Sequence, residues 1–192
     1  MTIPIPKRES GVLLGAVNAD VKIDLFVDIQ CPHSKAIWPQ ILDVLAHYKN
    51  ESLSIRLHLI TLSNHRQAWD MSLGIFALAK GNAQQYFDFV TYLYERQSLF
   101  YNNVFLHKTH EDLKQLVAAT AHDFAGVDKE TFIQQMAASD VYELARTPIR
   151  YSATKSVWGT PTIFINNSNN APLSHQSSLE DWQALIDPLL SV

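Results

Sequence analysis

The chain reads as an α/β domain: a β-α-β unit, then a long helical block, then a short strand-and-helix return. Three observations predict this. Short apolar runs at 21–28 and 54–60 flank a segment of helical periodicity. Residues from about 65 to 156 carry almost no strand character, and strand character returns at 162–165. At 192 residues the chain has room for one domain with a sizeable insertion and a buried core.

The start, Met1-Thr2-Ile3-Pro4-Ile5-Pro6-Lys7-Arg8-Glu9, carries two prolines and reads as an extended arm over residues 1–10, with the domain covering 11–192. Val21-Lys22-Ile23-Asp24-Leu25-Phe26-Val27-Asp28 is a buried-strand run that stops at Gln30-Cys31-Pro32. From His33 to about Tyr48 the period turns helical, with Ile37, Ile41, Leu42, Leu45 and Tyr48 on one face. Pro32 suits the first helical turn, where its missing N–H costs nothing. Pro39, inside the helix, is expected to kink it. Lys49-Asn50-Glu51-Ser52 reads as a turn, and Ser54-Ile55-Arg56-Leu57-His58-Leu59-Ile60 alternates as a half-buried strand does. Strand, helix and strand in that order close as a right-handed parallel pair.

Segments near 65–80, 82–97, 110–125 and 129–156 then place apolar residues three and four apart, so the insertion at about 65–156 is helical. Thr109 before His110-Glu111-Asp112 is an expected N-cap with acids in the first turn, and Asp128 an expected cap for the next helix. Gly81 and Gly126 fit helix ends, and Pro148 is expected to break or kink the last segment. Thr162-Ile163-Phe164-Ile165 is a strand introduced by Gly159-Thr160-Pro161. A polar turn at 166–170 and a short strand around 171–175 follow. Ser178 opens a final helix, in which Ser178 and Asp181 pair as a capping box.

Composition narrows the function classes. Hydrophobic residues make up 47% and charged residues 18%, the balance of a globular protein. The net charge is −4, and no basic run exceeds Lys7-Arg8, so a nucleic-acid partner is not expected. No stretch approaches the roughly 18 apolar residues that span a bilayer, so neither is a membrane. The N-terminal residues lack the apolar segment of a secretory signal, which together with a single cysteine points to a reducing, cytoplasmic location. One cysteine also means no internal disulfide. The histidines at 47, 58, 65, 107, 110, 122 and 175 show no metal-ligand spacing, so no metal and no resident cofactor is expected. Sequons at Asn50 and Asn166 bear on function only in a secreted chain.

Phe26-Val27-Asp28-Ile29-Gln30-Cys31-Pro32-His33-Ser34, Pro39 eight residues after the cysteine, Gly159-Thr160-Pro161-Thr162 and the intervening helical block resemble the thioredoxin superfamily, specifically its DsbA-like branch. The resemblance covers roughly residues 11–190 and implies a thioredoxin-like fold with a helical insertion. It implies that Thr160–Pro161 is the cis bond facing the active cysteine, a state otherwise held by about 5–6% of X–Pro bonds. The family loop normally reads Cys-Pro-x-Cys. Here the second cysteine is Ser34, and the chain holds no other cysteine. The mixed disulfide that the family's second cysteine resolves therefore has no internal resolver, and dithiol oxidation is excluded.

What remains is a monothiol. Cys31 at a helix start lies near unsatisfied N–H groups and the positive end of the helix dipole, which favours thiolate. His33 is expected to add a positive charge or a hydrogen bond. Ser34 either bonds the sulfur across the helical turn or only fills the place of a lost cysteine, whether native or a trapping Cys→Ser change. Pro32, Thr160 and Pro161 are expected substrate contacts, because a cis bond aims the Thr160 N–H and C=O outward, where an extended thiol substrate pairs as an added strand. Trp158 either shapes that groove or packs. Asp24 and Asp28 are candidate acids, Asp28 more as an organiser of the loop.

Three functions follow. The first is a monothiol thiol-disulfide oxidoreductase-like enzyme, in which Cys31 forms mixed disulfides with glutathione or protein and peptide thiols and an external thiol releases it. The second is a redox-inactive binding module on the same fold. The third resembles the kappa-class glutathione transferases and related isomerases, although their activating serine stands where this chain has Cys31. Oligomeric state is not legible.

Overall fold

Residues 21, 23, 25 and 27 are almost wholly excluded from solvent while Lys22 is exposed, the period-2 signature of a strand with two unlike faces. This is β2 (Val21–Val27) of a four-stranded sheet that also holds β1 (Val12–Gly15), β3 (Leu53–Leu59) and β4 (Thr162–Ile165) in the order β1-β3-β2-β4. The computed structural model describes residues 5–48, 52–169 and 172–190. β2 runs parallel to β3, with Ile23 opposite Ile55, and β1 and β4 run antiparallel at the two edges. The connection between β2 and β3 is α1 (Pro32–His47), as the β-α-β reading requires.

α1 buries Ile37, Trp38, Ile41 and Val44 on the main core, and α7 (Leu179–Ile186) joins it there, with the Trp182 indole donating to Gln40 Oε1 at 3.1 Å. The helical block comprises α2 (Ala68–Ala79), α3 (Ala83–Glu95), α4 (His110–Ala125), α5 (Lys129–Met136) and α6 (Ser139–Thr154). α2 is buried on nearly every side and sits at its centre. A Cβ on Gly74 would come within 2.5 Å of Val117 Cγ1, so this glycine lets α2 and α4 approach closely. The other face of the sheet carries a smaller core of Phe26, Ile60, Val157 and Phe164, covered by Tyr151 and Ile149 of α6. Among the described residues no helix is long and apolar enough to cross a membrane.

The expected caps are present. Thr109 with Asp112, and Ser178 with Asp181, form reciprocal capping boxes, and Asp128 accepts the Thr131 N–H. Three local expectations are corrected. β1, for which the sequence pattern gives no element, is four half-buried residues ending at Gly15, too short to show a period. The segment 129–156 is two helices, α5 and α6, because the chain turns at Ala137-Ala138, where neither glycine nor proline marks the break. Pro148 does not end its helix. α6 runs continuously through it, giving up the Pro148 N–H bond while the Thr147 hydroxyl donates to the Glu143 carbonyl at 2.7 Å.

The expected turn at 49–52 falls largely on residues 49–51, and the expected strand at 171–175 begins on residue 171. These positions lie outside the described residues, as do residues 1–4 of the arm, and residues 172–175 carry no strand. At the other sequon, the Asn166 side chain accepts the Lys22 N–H and donates to the Asp20 carbonyl, holding the turn after β4 to the start of β2.

Candidate functional site

Strand β2 ends at Val27, and four residues later the chain enters α1, so whatever stands at position 31 is held between a sheet end and a helix start. Cys31 is that residue and the N-cap of α1. Its φ/ψ are extended (−73°, 123°), its N–H donates to the Asp28 carbonyl at 3.0 Å, and its carbonyl accepts the Lys35 N–H at 3.1 Å. Pro32 is the first helical residue, where no N–H is needed. The side chain of Cys31 is 3% exposed.

The Cys31 Sγ lies 3.3 Å from the Thr160 carbonyl oxygen, to which its S–H donates. The Thr160–Pro161 peptide bond is cis. The fold therefore brings together Cys31, Pro32, Thr160 and Pro161, which stand about 130 residues apart in the chain. The Thr160 carbonyl is thus aimed at the sulfur and not freely outward. Trp158 is 84% exposed, so it does not pack into the core.

His33 and Ser34 stand differently from the expected arrangement. His33 is exposed and its ring centroid is 5.5 Å from that of His175, with no hydrogen bond to Cys31. Ser34 is wholly buried, accepts the Asp28 N–H at 3.3 Å and lies against Tyr94. Of the two readings of Ser34, the bond to the sulfur is not among its contacts, and its oxygen meets the loop beneath.

Asp28 organises that loop. Its carboxylate accepts the Gln30 N–H at 2.8 Å and the Leu62 N–H at 2.7 Å. His65 Nδ1 lies 2.9 Å from its Oδ2. Burial pushes the Asp28 carboxyl above the ordinary value, against the opposing pull of Leu62, His65 and Gln30. The Tyr94 hydroxyl, also buried, donates to the Asp28 carbonyl, and burial raises its phenol well above the usual range, with the charges of Asp28 and Cys31 adding to the shift. Asp24 is no acid beneath the cysteine. It accepts from, or pairs with, His58 Nε2 at 2.8 Å, and His58 Nδ1 meets the Ser10 hydroxyl at 2.9 Å. Burial lowers His58. Burial also pushes Asp24 up, but its bond and charge interaction with His58, helped by Lys155 and Arg56, outweigh it and bring Asp24 below its usual value. Asp24 faces a groove of about 1080 Å³ between the arm and α6, lined by none of the Cys31 loop residues.

Sequence reasoning missed the polar groups that the helical block sends to the loop. The Gln30 amide donates to Gln67 Oε1 and Asn102 Oδ1, at 2.9 and 3.0 Å, and its own oxygen accepts the Gln67 N–H. Gln97 donates to two loop carbonyls. Glutamines scattered over 70 residues give no periodic signal; only their convergence in space marks them. Among the described residues no cluster of three or more His, Cys, Asp or Glu is arranged to hold a metal.

A thioredoxin family model matches residues 7–188. No curated protein matches the chain. Among solved structures it is similar to a candidate protein-disulfide isomerase from Pseudomonas syringae, at a TM-score of 0.78 and 17% identity over 92% of this chain and 97% of that one. It is similar to oxidised BdbD from Bacillus subtilis, at 0.70 and 15% identity over 94% and 98%. It is also similar to the thiol-disulfide exchange protein alpha-DsbA2 from Wolbachia pipientis, at 0.66 and 18% identity over 93% and 87%. The architecture is the DsbA-like thioredoxin fold. These likenesses correct the expected cytoplasmic location. The neighbours include a thiol-disulfide exchange protein and one in its oxidised state, and disulfides persist in oxidising compartments, which points away from the cytosol. A count of one cysteine is weak evidence for a reducing environment, since a monothiol has no internal disulfide to keep reduced.

Proposed function

This chain belongs to the thioredoxin family, and from that premise we propose that it carries out thiol-disulfide exchange with a single sulfur. One observation carries the reading: Cys31 Sγ lies 3.3 Å from the Thr160 carbonyl at a helix start, in a chain with no second cysteine and with a buried Ser34 in the resolving position. As thiolate, Cys31 attacks one sulfur of a disulfide, forming a Cys31 mixed disulfide and releasing the other half as a thiolate. A second, external thiolate then attacks the mixed disulfide, taking the bound half and returning Cys31 to thiolate. The disulfide attacked in the first step is glutathione disulfide or a disulfide of a protein or peptide, and glutathione or a protein or peptide thiol serves as the external thiol in the second. Pro32, Thr160, Pro161 and Trp158 frame the incoming group, and His33 adds positive charge at the first turn when protonated. Ser34 cannot attack, so the mixed disulfide persists until an outside thiol arrives.

Intact mass after treatment with glutathione disulfide tests this. One glutathionyl group is expected on the wild type and none on Cys31→Ala, with loss of the group on adding free glutathione. A wild-type chain that stays unmodified while Cys31 alkylates normally would overturn the proposal.

A binding-module reading has one observation in its favour: Trp158 stands 84% exposed two residues before Thr160, whose carbonyl meets a cysteine only 3% exposed. Retention of partner binding in Cys31→Ser would favour it. Nothing in the site favours the transferase-like reading, because Cys31 holds the position of that family's activating serine and Ser34 is wholly buried.

A further inference from the structure

Among the polar groups that tie the helical block to the Cys31 loop, one amide reaches Cys31 itself. Gln97 sits in a 3₁₀ turn at Gln97–Phe100, just after α3, and is wholly buried. Its Nε2 donates to the Ile29 carbonyl and to the Cys31 carbonyl, both at 3.0 Å, and its Oε1 accepts the Tyr101 hydroxyl at 3.0 Å. Both amide hydrogens and the amide oxygen are thus engaged, a pattern that only an amide side chain meets. Among the described residues Gln97 is the one hydrogen-bond donor to Ile29 C=O, which is buried with its residue.

The two carbonyls flank Gln30 and so set the plane of the chain as it enters Cys31. The sulfur's position on the Thr160 carbonyl depends on that plane, because Cys31 is an N-cap whose side chain makes no capping bond of its own. We infer that Gln97 is a positioning residue for Cys31: it fixes the backbone so that the sulfur stays sheltered against Thr160 yet aligned to attack an approaching disulfide. This rests on the exchange reading above. In-line attack on a disulfide demands orientation, whereas alkylation of a thiol by a small reagent demands mainly access.

The two demands separate the outcomes. In Gln97→Met, which keeps the volume and removes the hydrogen bonds, the loop loosens. Alkylation of Cys31 by iodoacetamide is expected to rise several-fold, while the rate of mixed-disulfide formation with glutathione disulfide falls about tenfold. Tyr101→Phe, which frees only the Gln97 oxygen and keeps both donors, is expected to move both rates in the same opposite senses by a smaller factor, and serves where Gln97→Met does not fold. Both rates rising together would show a general loosening and overturn the inference, as would neither rate changing. A wild type that fails to take up glutathione would sink the exchange reading. The alkylation rates of the two variants would then still decide whether Gln97 holds the sulfur, unchanged rates overturning the inference.

Discussion

Phe26 joins the two halves of the site, and replacing it tests how the sheet's second face supports the first. Its ring is wholly buried, stacked on His58 at 4.5 Å and Tyr151 at 5.9 Å, and edge-on to Phe164 at 5.7 Å. It also pairs with Thr162 across β2 and β4, two residues from the carbonyl that meets Cys31. Phe26→Ala removes the ring and leaves a cavity, a change that costs about 3–5 kcal/mol in well-packed cores. Part of that loss is ring–ring geometry, about 0.5–1.5 kcal/mol per pair beyond burial, so Phe26→Leu is expected to cost less, about 1–2 kcal/mol. With a urea slope of about 2 kcal/mol/M, Phe26→Ala moves the unfolding midpoint down by about 2 M, and by about 10–15 °C on heating.

A second signature travels with it. Burial holds His58 below its ordinary value, so as the pH falls through about 6.5 the unfolded chain binds the proton first and the wild type loses stability. Opening a cavity beside His58 admits water and flattens that slope in Phe26→Ala. Urea unfolding of wild type, Phe26→Leu and Phe26→Ala at pH 5 and pH 7 measures both. A cost below about 1 kcal/mol for Phe26→Ala would refute the packing argument. An unchanged difference between the two pH values would refute the account of His58.

Ser34→Cys is expected to form an intrachain disulfide with Cys31, so that the glutathione adduct becomes transient; free-thiol counts and intact mass read this, and an accumulating adduct would contradict it. The exchange of Ser34 also weakens the bond from the Asp28 N–H, at a cost of about 0.5–1.5 kcal/mol in the reduced form. Asp28 has its folded value raised by burial, so the folded state holds that proton at a pH where the unfolded chain has lost it. Its ionisation therefore costs stability as the pH rises from 3.8 through the folded value, and Asp28→Asn is expected to remove that part of the pH dependence between pH 4 and 7, measured by urea unfolding. Trp158→Ala leaves stability within about 0.5 kcal/mol, since the ring is 84% exposed, but slows exchange with a peptide disulfide more than with glutathione disulfide. Equal slowing of the two would remove Trp158 from the substrate groove.

Much of this molecule was legible in its residues. The β-α-β order, the helical block and the caps at Thr109, Asp128 and Ser178 follow from local rules, because period, capping chemistry and turn residues act within a few positions. The placement of Cys31 at the start of α1 was equally local, and so was its solitude, which is a count. β1 escaped because four half-buried residues carry no period, and its strand character comes from β3 alongside it. Pro148 misled because a tertiary environment tolerates the loss of one helical bond that an isolated helix would not.

The site divides along the same line. Position 31 is written in the loop sequence, but the sulfur's contact with Thr160 and the placing of Ser34 against Tyr94 are decided by chain segments 60 to 130 residues away. Gln97 and Gln30 illustrate the limit most clearly. A buried amide acts through which donors and acceptors it meets, and those partners are set only when the helical block packs against the end of the sheet. The sequence by itself determined that one cysteine stands at a helix start with no sulfur to resolve it; tertiary packing decided how that sulfur is held, because distance in space and not in sequence governs every contact it makes.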